Sequence, residues 1–339
     1  MTATLQDALR RPMRDLRISV TDRCNFRCAY CMPFDEYKWI ERAEVLTFEE
    51  IERVARIGID LGVEKIRLTG GEPLVRRDLE RLIARLSRLQ GLKDLTLTTN
   101  GALLEEQAYA LAEAGLRRIN VSLDTLNPNR FHEITKRGRL EDVLGGIAAA
   151  HRAGMGPIKV NAVVIRGFND DELLDMVRYG REHRIEIRFI EYMDVGNVND
   201  WKVSKTVPKS EILSRIGAVY PLREVGRDQG SAPAIDYAYE DGAGEIGIIG
   251  SVTEPFCSSC VRARLTADGR FITCLFAETG FDLKGLIRGG APDTKIADTL
   301  RGVWVGRTDR YSDLRWEEIR SGTYRPERHR KIEMITLGG

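Results

Sequence analysis

Hydrophobic and polar positions follow two different periods along the first part of the chain. Short runs rich in apolar and β-branched residues are typical of strands, and longer segments with apolar residues every three or four positions are typical of helices. The pattern predicts strands over residues 16–21, 63–69, 94–99, 117–123, 158–165 and 185–190. It predicts intervening helices over residues 47–61, 78–89, 105–114, 129–135, 140–153 and 170–183.

This order of elements predicts an α/β fold. Repeated β/α alternation with short connections implies a parallel sheet covered by helices. Six β/α units are two fewer than a closed eight-stranded TIM barrel contains, so we predict an open, TIM-like partial (βα)6 barrel. A capping box over residues 47–50 marks the start of the first helix.

The pattern changes near residue 194, where an irregular polar segment begins. The elements predicted beyond it are a helix over 209–216, a hairpin of 235–239 and 245–249, and a second hairpin turning at Asp268-Gly269. We therefore divide the chain into a barrel, residues 1–193, and a C-terminal α+β extension, residues 194–339.

Charge and hydropathy exclude some partners. A net charge of +1 gives no global reason to expect a nucleic acid or an anionic membrane as partner, so any basic site has to be local. The first residues lack the apolar segment of a signal peptide, and no apolar run is long enough to predict a membrane span. We therefore expect a cytoplasmic protein.

The six cysteines form two triads. Cys24, Cys28 and Cys31 have C-x3-C-x2-C spacing in the loop after the first predicted strand. Thiolates suit iron–sulfur centres, and three of them leave one iron of a four-iron cluster open to a non-protein ligand. Structural zinc is the alternative, but it needs a fourth protein ligand, and none of the four histidines lies near this loop.

The second triad is Cys257, Cys260 and Cys274, with C-x2-C-x13-C spacing. A C-x2-C pair followed by a distant cysteine is common in zinc modules, so zinc stays open here, although a fourth ligand is again missing. In a chain without an export signal, cysteines indicate metal or redox use rather than structural disulfides.

Polar and glycine-rich stretches follow several of the predicted strands. Each one alone fits an ordinary βα turn, but all of them fall on the rim where such folds place their active sites. They are Gly70-Gly71-Glu72-Pro73, Thr98-Thr99-Asn100, Ser122-Leu-Asp124 and Glu191-Tyr-Met193.

Several cations lie on the predicted strands or on loops facing the same mouth. Arg67, Lys159 and Arg188 each interrupt an apolar strand. A single arginine is more often a solvated charge or part of a salt bridge. An unpaired buried cation is costly, however, so each needs an anionic partner, and a phosphate would serve.

The first cysteine triad, with Tyr30 before its last cysteine and GGEP after a later strand, resembles the radical S-adenosylmethionine (SAM) superfamily. The resemblance implies a [4Fe–4S] cluster on the triad and SAM bound to its open iron. Reductive cleavage of SAM then gives methionine and a 5′-deoxyadenosyl radical, while the protein directs that radical and excludes competing reactions.

A closer resemblance, over almost the whole chain, is to the GTP 3′,8-cyclase family of molybdenum cofactor (molybdopterin) biosynthesis. It rests on RISVTDRCNFRCAYCMP, IRLTGGEPLVRRDL, LTTNG, RRINVSLDTL, IEIRFIEYMDVGN and FCSSCVRARLTADGRFITCLF. The resemblance implies a second [4Fe–4S] cluster on Cys257, Cys260 and Cys274 that contacts guanine. The implied reaction removes hydrogen from ribose C3′ and joins that carbon to guanine C8, giving (8S)-3′,8-cyclo-7,8-dihydroguanosine 5′-triphosphate.

The same resemblance implies binding residues, with no catalytic residue beyond the clusters and bound SAM. GTP contacts are implied at Arg17, Arg67, Thr98, Lys159, Arg262, Ala263 and Arg264, and Arg188 joins them because it interrupts a strand. SAM contacts are implied at Tyr30, Gly71, Ser122 and Met193. Gly71 allows the backbone to approach the methionine amino group. The terminal Gly338 and Gly339 are implied to reach into the active site.

The resemblance also implies that the product passes to cyclic pyranopterin monophosphate synthase. A low-potential donor, such as a flavodoxin-like protein, is expected, and a homodimer is considered. Two other functions stay open. A peptide- or sulfatase-modifying radical enzyme usually has longer auxiliary cysteine arrays than one triad. A non-catalytic zinc module or electron carrier leaves GGEP and the strand-borne cations unexplained.

Overall fold

The computed structural model describes residues 5–199, 201–325 and 331–338, and its centre is one twelve-stranded sheet. Six parallel strands lie side by side in chain order. They are β1 (Asp15–Ser19), β2 (Lys65–Thr69), β3 (Asp94–Thr99), β4 (Arg118–Ser122), β5 (Ile158–Val164) and β6 (Glu186–Glu191). Helices alternate with them: α1 (Phe48–Asp60), α2 (Leu79–Leu86), α3 (Leu104–Glu113), α4 (Pro128–Thr135), α5 (Leu140–Arg152) and α6 (Leu173–His183). The predicted α/β class is confirmed.

The two faces of this sheet have different chemistry. On β2, Ile66 and Leu68 are fully buried in the hydrophobic core, whereas Arg67 and Thr69 alternate with them and line a cavity. The alternation follows from the period of two along a strand. Further cavity-lining strand residues are Asp15, Arg17, Thr98, Asn120, Ser122, Asn161 and Arg188. The polar face therefore surrounds a ligand-sized space, unlike a barrel interior filled by branched apolar side chains.

Residues beyond 194 extend both edges of the same sheet. β10 (Arg262–Leu265) pairs in parallel with β1, and β9 (Glu245–Ile249) pairs in parallel with β6. Antiparallel strands continue outward: β7 (Leu222–Gly226), β8 (Ile235–Tyr239), β11 (Arg270–Ile272) and β12 (Phe281–Asp282). Both predicted hairpins are present, but β7 was not predicted.

The remaining helices belong to the C-terminal part of the chain. They are α7 (Lys209–Gly217), α8 (Leu283–Arg288), α9 (Asp293–Val305), α10 (Tyr311–Ser321) and α11 (Met334–Leu337). Only α7 was predicted. Among the described residues, no helix combines the length and the apolar character that crossing a bilayer requires.

Candidate active site

One cavity of about 380 Å³ lies against the polar face of the sheet. Residues from both cysteine triads line it, and so do several arginines. The arginines predicted from the sequence lie on four strands and all line the cavity: Arg17 on β1, Arg67 on β2, Arg188 on β6, and Arg262 and Arg264 on β10. Thr98 and the four predicted SAM contacts, Tyr30, Gly71, Ser122 and Met193, line the same cavity.

The two triads lie at opposite ends of the parallel strands. Cys24 follows the last residue of β1, whereas Cys260 precedes the first residue of β10. Because β10 runs parallel to β1, with Arg17 opposite Arg264, these positions are at opposite ends. Cys274 follows β11, which runs antiparallel to β10. It therefore lies at the same end of the strands as Cys260. The second triad is therefore not on the rim at the carboxyl ends of the strands, where we had expected the site to gather.

The first triad is held in a compact loop. The amide of Met32 donates to the carbonyl of Cys28 at 2.7 Å, and the Arg27 guanidinium donates to the carbonyl of Cys24 at 3.0 Å. The amide of Ala29 donates to the carbonyl of Ile134 at the end of α4. These contacts fix the loop on the helix layer of the fold.

Gly71 brings the GGEP loop against the cysteine loop. Its amide donates to the carbonyl of Thr21 at 2.7 Å, and the Glu72 amide donates to the carbonyl of Arg23 at 2.7 Å. A Cβ added to Gly71 would lie 2.3 Å from the carbonyl oxygen of Arg23, so no larger residue fits. Glycine is needed here for the contact between two protein loops, in addition to the expected approach to SAM.

The donor set of the first triad fits an iron–sulfur cluster better than a single zinc ion. Tetrahedral zinc, at about 2.3 Å per sulfur, requires sulfurs about 3.8 Å apart. Among the described residues, neither triad has all three of its sulfurs within 4.8 Å of one another. Burial raises the pKa of Cys24 to about 11 and that of Cys31 to about 12, so binding a metal centre has to displace protons from these thiols.

The predicted SAM side of the cavity contains a carboxylate that the sequence motifs did not assign. The Tyr30 hydroxyl donates to Asp124 Oδ2 at 2.6 Å, and the Val163 amide donates to Oδ1 at 2.8 Å. Burial raises the pKa of Asp124 to about 6, against the opposing effect of these hydrogen bonds. Asp124 therefore orients the Tyr30 ring beside the first triad; its place on a rim stretch was the only signal in the sequence.

Glu72 of GGEP is a second buried carboxylate, and its contacts are all within the protein. It accepts hydrogen bonds from the amides of Leu74 and Asn100, at 3.0 and 2.7 Å, and from the Thr99 hydroxyl at 2.6 Å. Burial raises its pKa to about 7, although these three donors favour the charged form. Glu72 therefore joins the loop after β2 to the loop after β3.

The second triad has cationic neighbours. Arg262 and Arg307 each place a guanidinium nitrogen 3.2 Å from Cys260 Sγ. Burial disfavours the Cys260 thiolate, but the two positive charges outweigh it and lower the pKa to about 6. Burial raises the pKa of Cys274 to about 12. Arg307 was not predicted, because nothing in its local sequence connects it to a cysteine that lies far along the chain.

Three arginines are stacked across neighbouring strands. Arg17 on β1 lies opposite Arg67 on β2 and opposite Arg264 on β10. Burial, followed by the charge of Arg17, lowers the pKa of Arg67 and of Arg264 to about 9, which keeps both protonated at neutral pH. Arg67 Nη1 donates to Thr98 Oγ1 at 3.0 Å. Within the described residues, Nε of Arg17 and Nε of Arg67 are buried without a hydrogen-bond partner. Asp15 is the carboxylate near the group, and its charge partly offsets three positive charges.

Other predicted GTP contacts lie outside this arginine stack. Arg188 faces the main cavity, and its Nε donates to Glu186 at 2.5 Å. Lys159 also pairs with Glu186, its register neighbour on β6, and lines an adjacent cavity. Ala263 is fully buried in the hydrophobic core.

The C-terminal segment reaches the arginine stack. Arg264 Nη1 donates to the carbonyl of Gly338 at 2.8 Å. A Cβ on Gly338 would lie 2.5 Å from Cγ2 of Thr69, and the residue has a φ of +72°, so glycine satisfies both the space and the backbone. Gly339 lies outside the described residues.

Comparison with known proteins identifies the family. Residues 18–180 match the radical SAM superfamily, and residues 185–313 match the family described as Molybdenum Cofactor Synthesis C. GTP 3′,8-cyclases from Acidothermus cellulolyticus and Xanthomonas axonopodis pv. citri are each 46% identical to the chain, and one from Staphylococcus aureus is 45% identical. Each alignment covers all of both chains.

The chain belongs to the GTP 3′,8-cyclase family. Membership of the GTP 3′,8-cyclase family confirms the predicted enzyme class and its cofactors, SAM and [4Fe–4S] clusters.

Solved structures agree on the fold alone. Streptococcus suis SuiB bound to SAM has a TM-score of 0.61 at 16% identity, covering 86% of this chain and 68% of SuiB. SuiB bound to its precursor peptide SuiA has a TM-score of 0.63 at 16% identity, covering 92% and 68%. This likeness is too distant to favour peptide modification over the GTP 3′,8-cyclase family, to which the chain is similar along its whole length.

Proposed function

We propose that the chain converts GTP to (8S)-3′,8-cyclo-7,8-dihydroguanosine 5′-triphosphate, the first step of molybdenum cofactor biosynthesis. One observation carries the proposal: both cysteine triads and the arginine stack line a single cavity. Along β1 the two ends of this cavity are separated by about 13 Å, at roughly 3.3 Å per residue. A nucleoside triphosphate spans that distance, with its anionic part beside the arginines.

We infer that Cys24, Cys28 and Cys31 hold the cluster that binds SAM, and that Cys257, Cys260 and Cys274 hold a second [4Fe–4S] cluster. When bound, the first cluster and SAM supply a 5′-deoxyadenosyl radical. The proposed division at residue 193 separates radical formation, in an open partial (βα)6 barrel, from the C-terminal extension that holds the second cluster, and GTP contacts come from both parts.

The role of the arginine stack is to bind and orient GTP. Arg17, Arg67 and Arg264 line the cavity and offer charge-assisted, often bidentate donors to phosphate oxygens. Arg262 lies beside Cys260, between the stack and the second triad. On this proposal, the guanine lies toward the second triad and the ribose toward the first.

Supporting residues orient SAM on the opposite side of the cavity. Tyr30 is held by Asp124, and Ser122 lies two residues before Asp124 at the end of β4. Met193 follows β6 and faces the same space. We further propose a low-potential, flavodoxin-like electron donor, a cytoplasmic location, and transfer of the product to cyclic pyranopterin monophosphate synthase; a homodimer stays a prediction.

Anaerobic turnover of reconstituted protein with dithionite, SAM and GTP deuterated at C3′ tests this function. The cyclised product is an isomer of GTP, so we expect a new chromatographic peak of nearly unchanged mass. The abstracted deuterium should appear in 5′-deoxyadenosine. If unlabelled 5′-deoxyadenosine forms while GTP is unchanged, the cyclase assignment is wrong and only radical SAM chemistry remains.

A further inference from the structure

The loop that follows β6 holds the C-terminal segment of the chain. We call residues 194–197, Asp-Val-Gly-Asn, the clasp loop, and residues 331–338 the tail. The clasp loop begins directly after Met193, which lines the main cavity. The family resemblance assigns a role to Met193 and to the terminal glycines, but none to the clasp loop.

The Asn197 side chain forms two hydrogen bonds with the tail backbone. Its Nδ2 donates to the carbonyl of Lys331 at 2.5 Å, and its Oδ1 accepts from the Lys331 amide at 2.9 Å. Nδ2 also donates to Glu333 Oε1 at 2.8 Å. Gly196 has a φ of +66°, which favours glycine, and a Cβ there would lie 2.8 Å from Glu333 Oε2, so the loop and the tail are in close contact.

Asp194 adds a buried ionic contact. Lys331 Nζ donates to the Asp194 carbonyl at 2.6 Å and to its carboxylate at 2.5 Å. The same carboxylate accepts from the hydroxyls of Tyr311 and Tyr324, at 2.5 and 2.6 Å, and pairs with Arg315 of α10. The Asp194 side chain is only 4% exposed, so the tail is tied to the core of the C-terminal part rather than to a solvated surface.

The tail then runs from the clasp loop to the arginine stack. The Ile332 amide donates to the carbonyl of Ala277, three residues after Cys274. The tail continues through α11, and the Gly338 carbonyl accepts from Arg264. Only four residues lie between Glu333, which contacts the clasp loop, and Gly338, which contacts Arg264, so the first contact restricts where the second one can fall.

We propose that Asn197 and Asp194 are positioning residues that seat Gly338 against Arg264, and that this seating sets the fraction of radicals that end in GTP cyclisation. The proposal rests on the proposed cyclase function. A seated tail holds one donor of Arg264 and closes the space beside Thr69, leaving the remaining donors of Arg264 aimed into the cavity. An unseated tail leaves Arg264 free to turn, so GTP is bound less well oriented while SAM cleavage continues.

Asn197→Ala in the reconstituted holoenzyme tests the proposal, since Asn197 is exposed and its loss does not open the core. We expect amide hydrogen exchange of the tail to rise about tenfold, the size expected from losing about 1.4 kcal/mol of hydrogen bonding. We expect the ratio of cyclised product to 5′-deoxyadenosine to fall several-fold. Iron content and SAM cleavage without GTP should stay at the wild-type level.

Asn129→Ala, on the exposed side of α4, is the matched control and should change none of these quantities. Glu333→Gln keeps an acceptor for Asn197 and should preserve tail protection better than Glu333→Ala. In the double variant Asn197→Ala with Glu333→Ala, we expect less than the sum of the two single losses, because the residues act on one contact.

The outcomes separate the two proposals. If wild-type protein forms no cyclised product, the cyclase function fails, whatever the exchange data show. If wild-type protein cyclises GTP, and Asn197→Ala retains both tail protection and the product ratio, the clasp loop has no positioning role. Faster exchange with an unchanged product ratio would also overturn the proposal, because the clasp loop would then hold the tail without affecting the reaction.

Discussion

The buried charged side chains of this protein differ in whether an oppositely charged side chain pairs with them. Asp194 is buried and paired with Arg315 and Lys331, so its charge is satisfied within the chain. Arg67 is buried beside Arg17, and its Nε lacks a partner within the described residues. The ion pairs of Asp194 stabilise the fold, whereas the arginine stack has the positive charge to bind an anionic ligand.

Arg67→Ala should weaken GTP binding more than SAM binding. Losing charge-assisted hydrogen bonds to phosphate costs about 2 kcal/mol, so we expect a roughly 30-fold increase in the GTP dissociation constant. Anaerobic calorimetric titration measures it. Arg56→Ala removes an exposed guanidinium that pairs with Asp293 and should leave the constant unchanged. If Arg67→Ala and wild type bind GTP with equal affinity, Arg67 does not contribute to GTP binding.

Asp194 should make stability depend on pH in the acid range. Burial opposes its charge, but Arg315 and Lys331 outweigh burial and lower its pKa to about 2. A carboxylate with a lowered pKa stabilises the fold above its unfolded pKa, near pH 4, and this contribution of about 2 kcal/mol is lost as the pH falls toward 2.

Urea unfolding of wild type and Asp194→Asn between pH 7 and pH 3 checks this. We expect the variant to be less stable at pH 7, and the difference to shrink as the pH falls below about 4. A difference that is constant with pH would show that the charge of Asp194 is not the stabilising feature.

At the scale of the element, local signals decide where helices and strands begin. The Thr47 side chain accepts from the Glu50 amide, and the Glu50 carboxylate accepts from the Thr47 amide, which is the predicted capping box of α1. The strand predicted over residues 94–99 has the bounds of β3. The helix predicted from residue 170 instead begins with a 3-10 turn before α6, because the buried Glu172 side chain is bound by Thr125, Leu126 and Arg130.

Thr47→Ala should lower the free energy of unfolding by about 1 kcal/mol, since it removes the N-cap acceptor of α1. Denaturant unfolding measures the loss. Thr299→Ala, within α9, is the control, because its hydroxyl only donates back to the Lys295 carbonyl one turn earlier. A loss at Thr47 no larger than at Thr299 would mean that packing, not the cap, determines the start of α1.

At the scale of the whole molecule, the sheet brings two distant parts of the chain to one cavity. β10 pairs with β1, so Arg262 lies level with Asp15, and the second triad closes the end of the cavity opposite the first. The tail crosses the same region and contacts Arg264. We therefore expect that substitutions can disable radical formation and substrate binding separately.

Cys274→Ala should spare SAM cleavage and abolish GTP cyclisation. We expect the iron content of reconstituted protein to fall by about half, because one of two similar clusters is lost. 5′-Deoxyadenosine should still form in the presence of dithionite, with no cyclised product. Cys24→Ala is the counterpart and should abolish both products. Retained cyclisation in Cys274→Ala would show that the second triad is not required for the substrate step.

The sequence predicted most of the helices and strands and most of the residues that line the cavity. It did not predict where along the cavity each of those residues lies. Lys159 was grouped with the cavity arginines, yet the strand register places it opposite Glu186 and beside a second cavity. Arg307 and the clasp loop were not predicted at all. Such contacts join residues that are far apart in the chain, 27 positions for Lys159 and Glu186 and 47 for Cys260 and Arg307, and neither hydrophobic period nor local spacing contains that information.

The sequence by itself determined the α/β class, the radical SAM chemistry and the family, because these depend on residue types at short, regular spacings. The tertiary structure alone decided that the triads occupy opposite ends of one cavity, that three arginines lie side by side on neighbouring strands, and that the clasp loop contacts the tail. Local propensity acts within one element, whereas the positions of charges and clusters depend on which strands pair and in which direction.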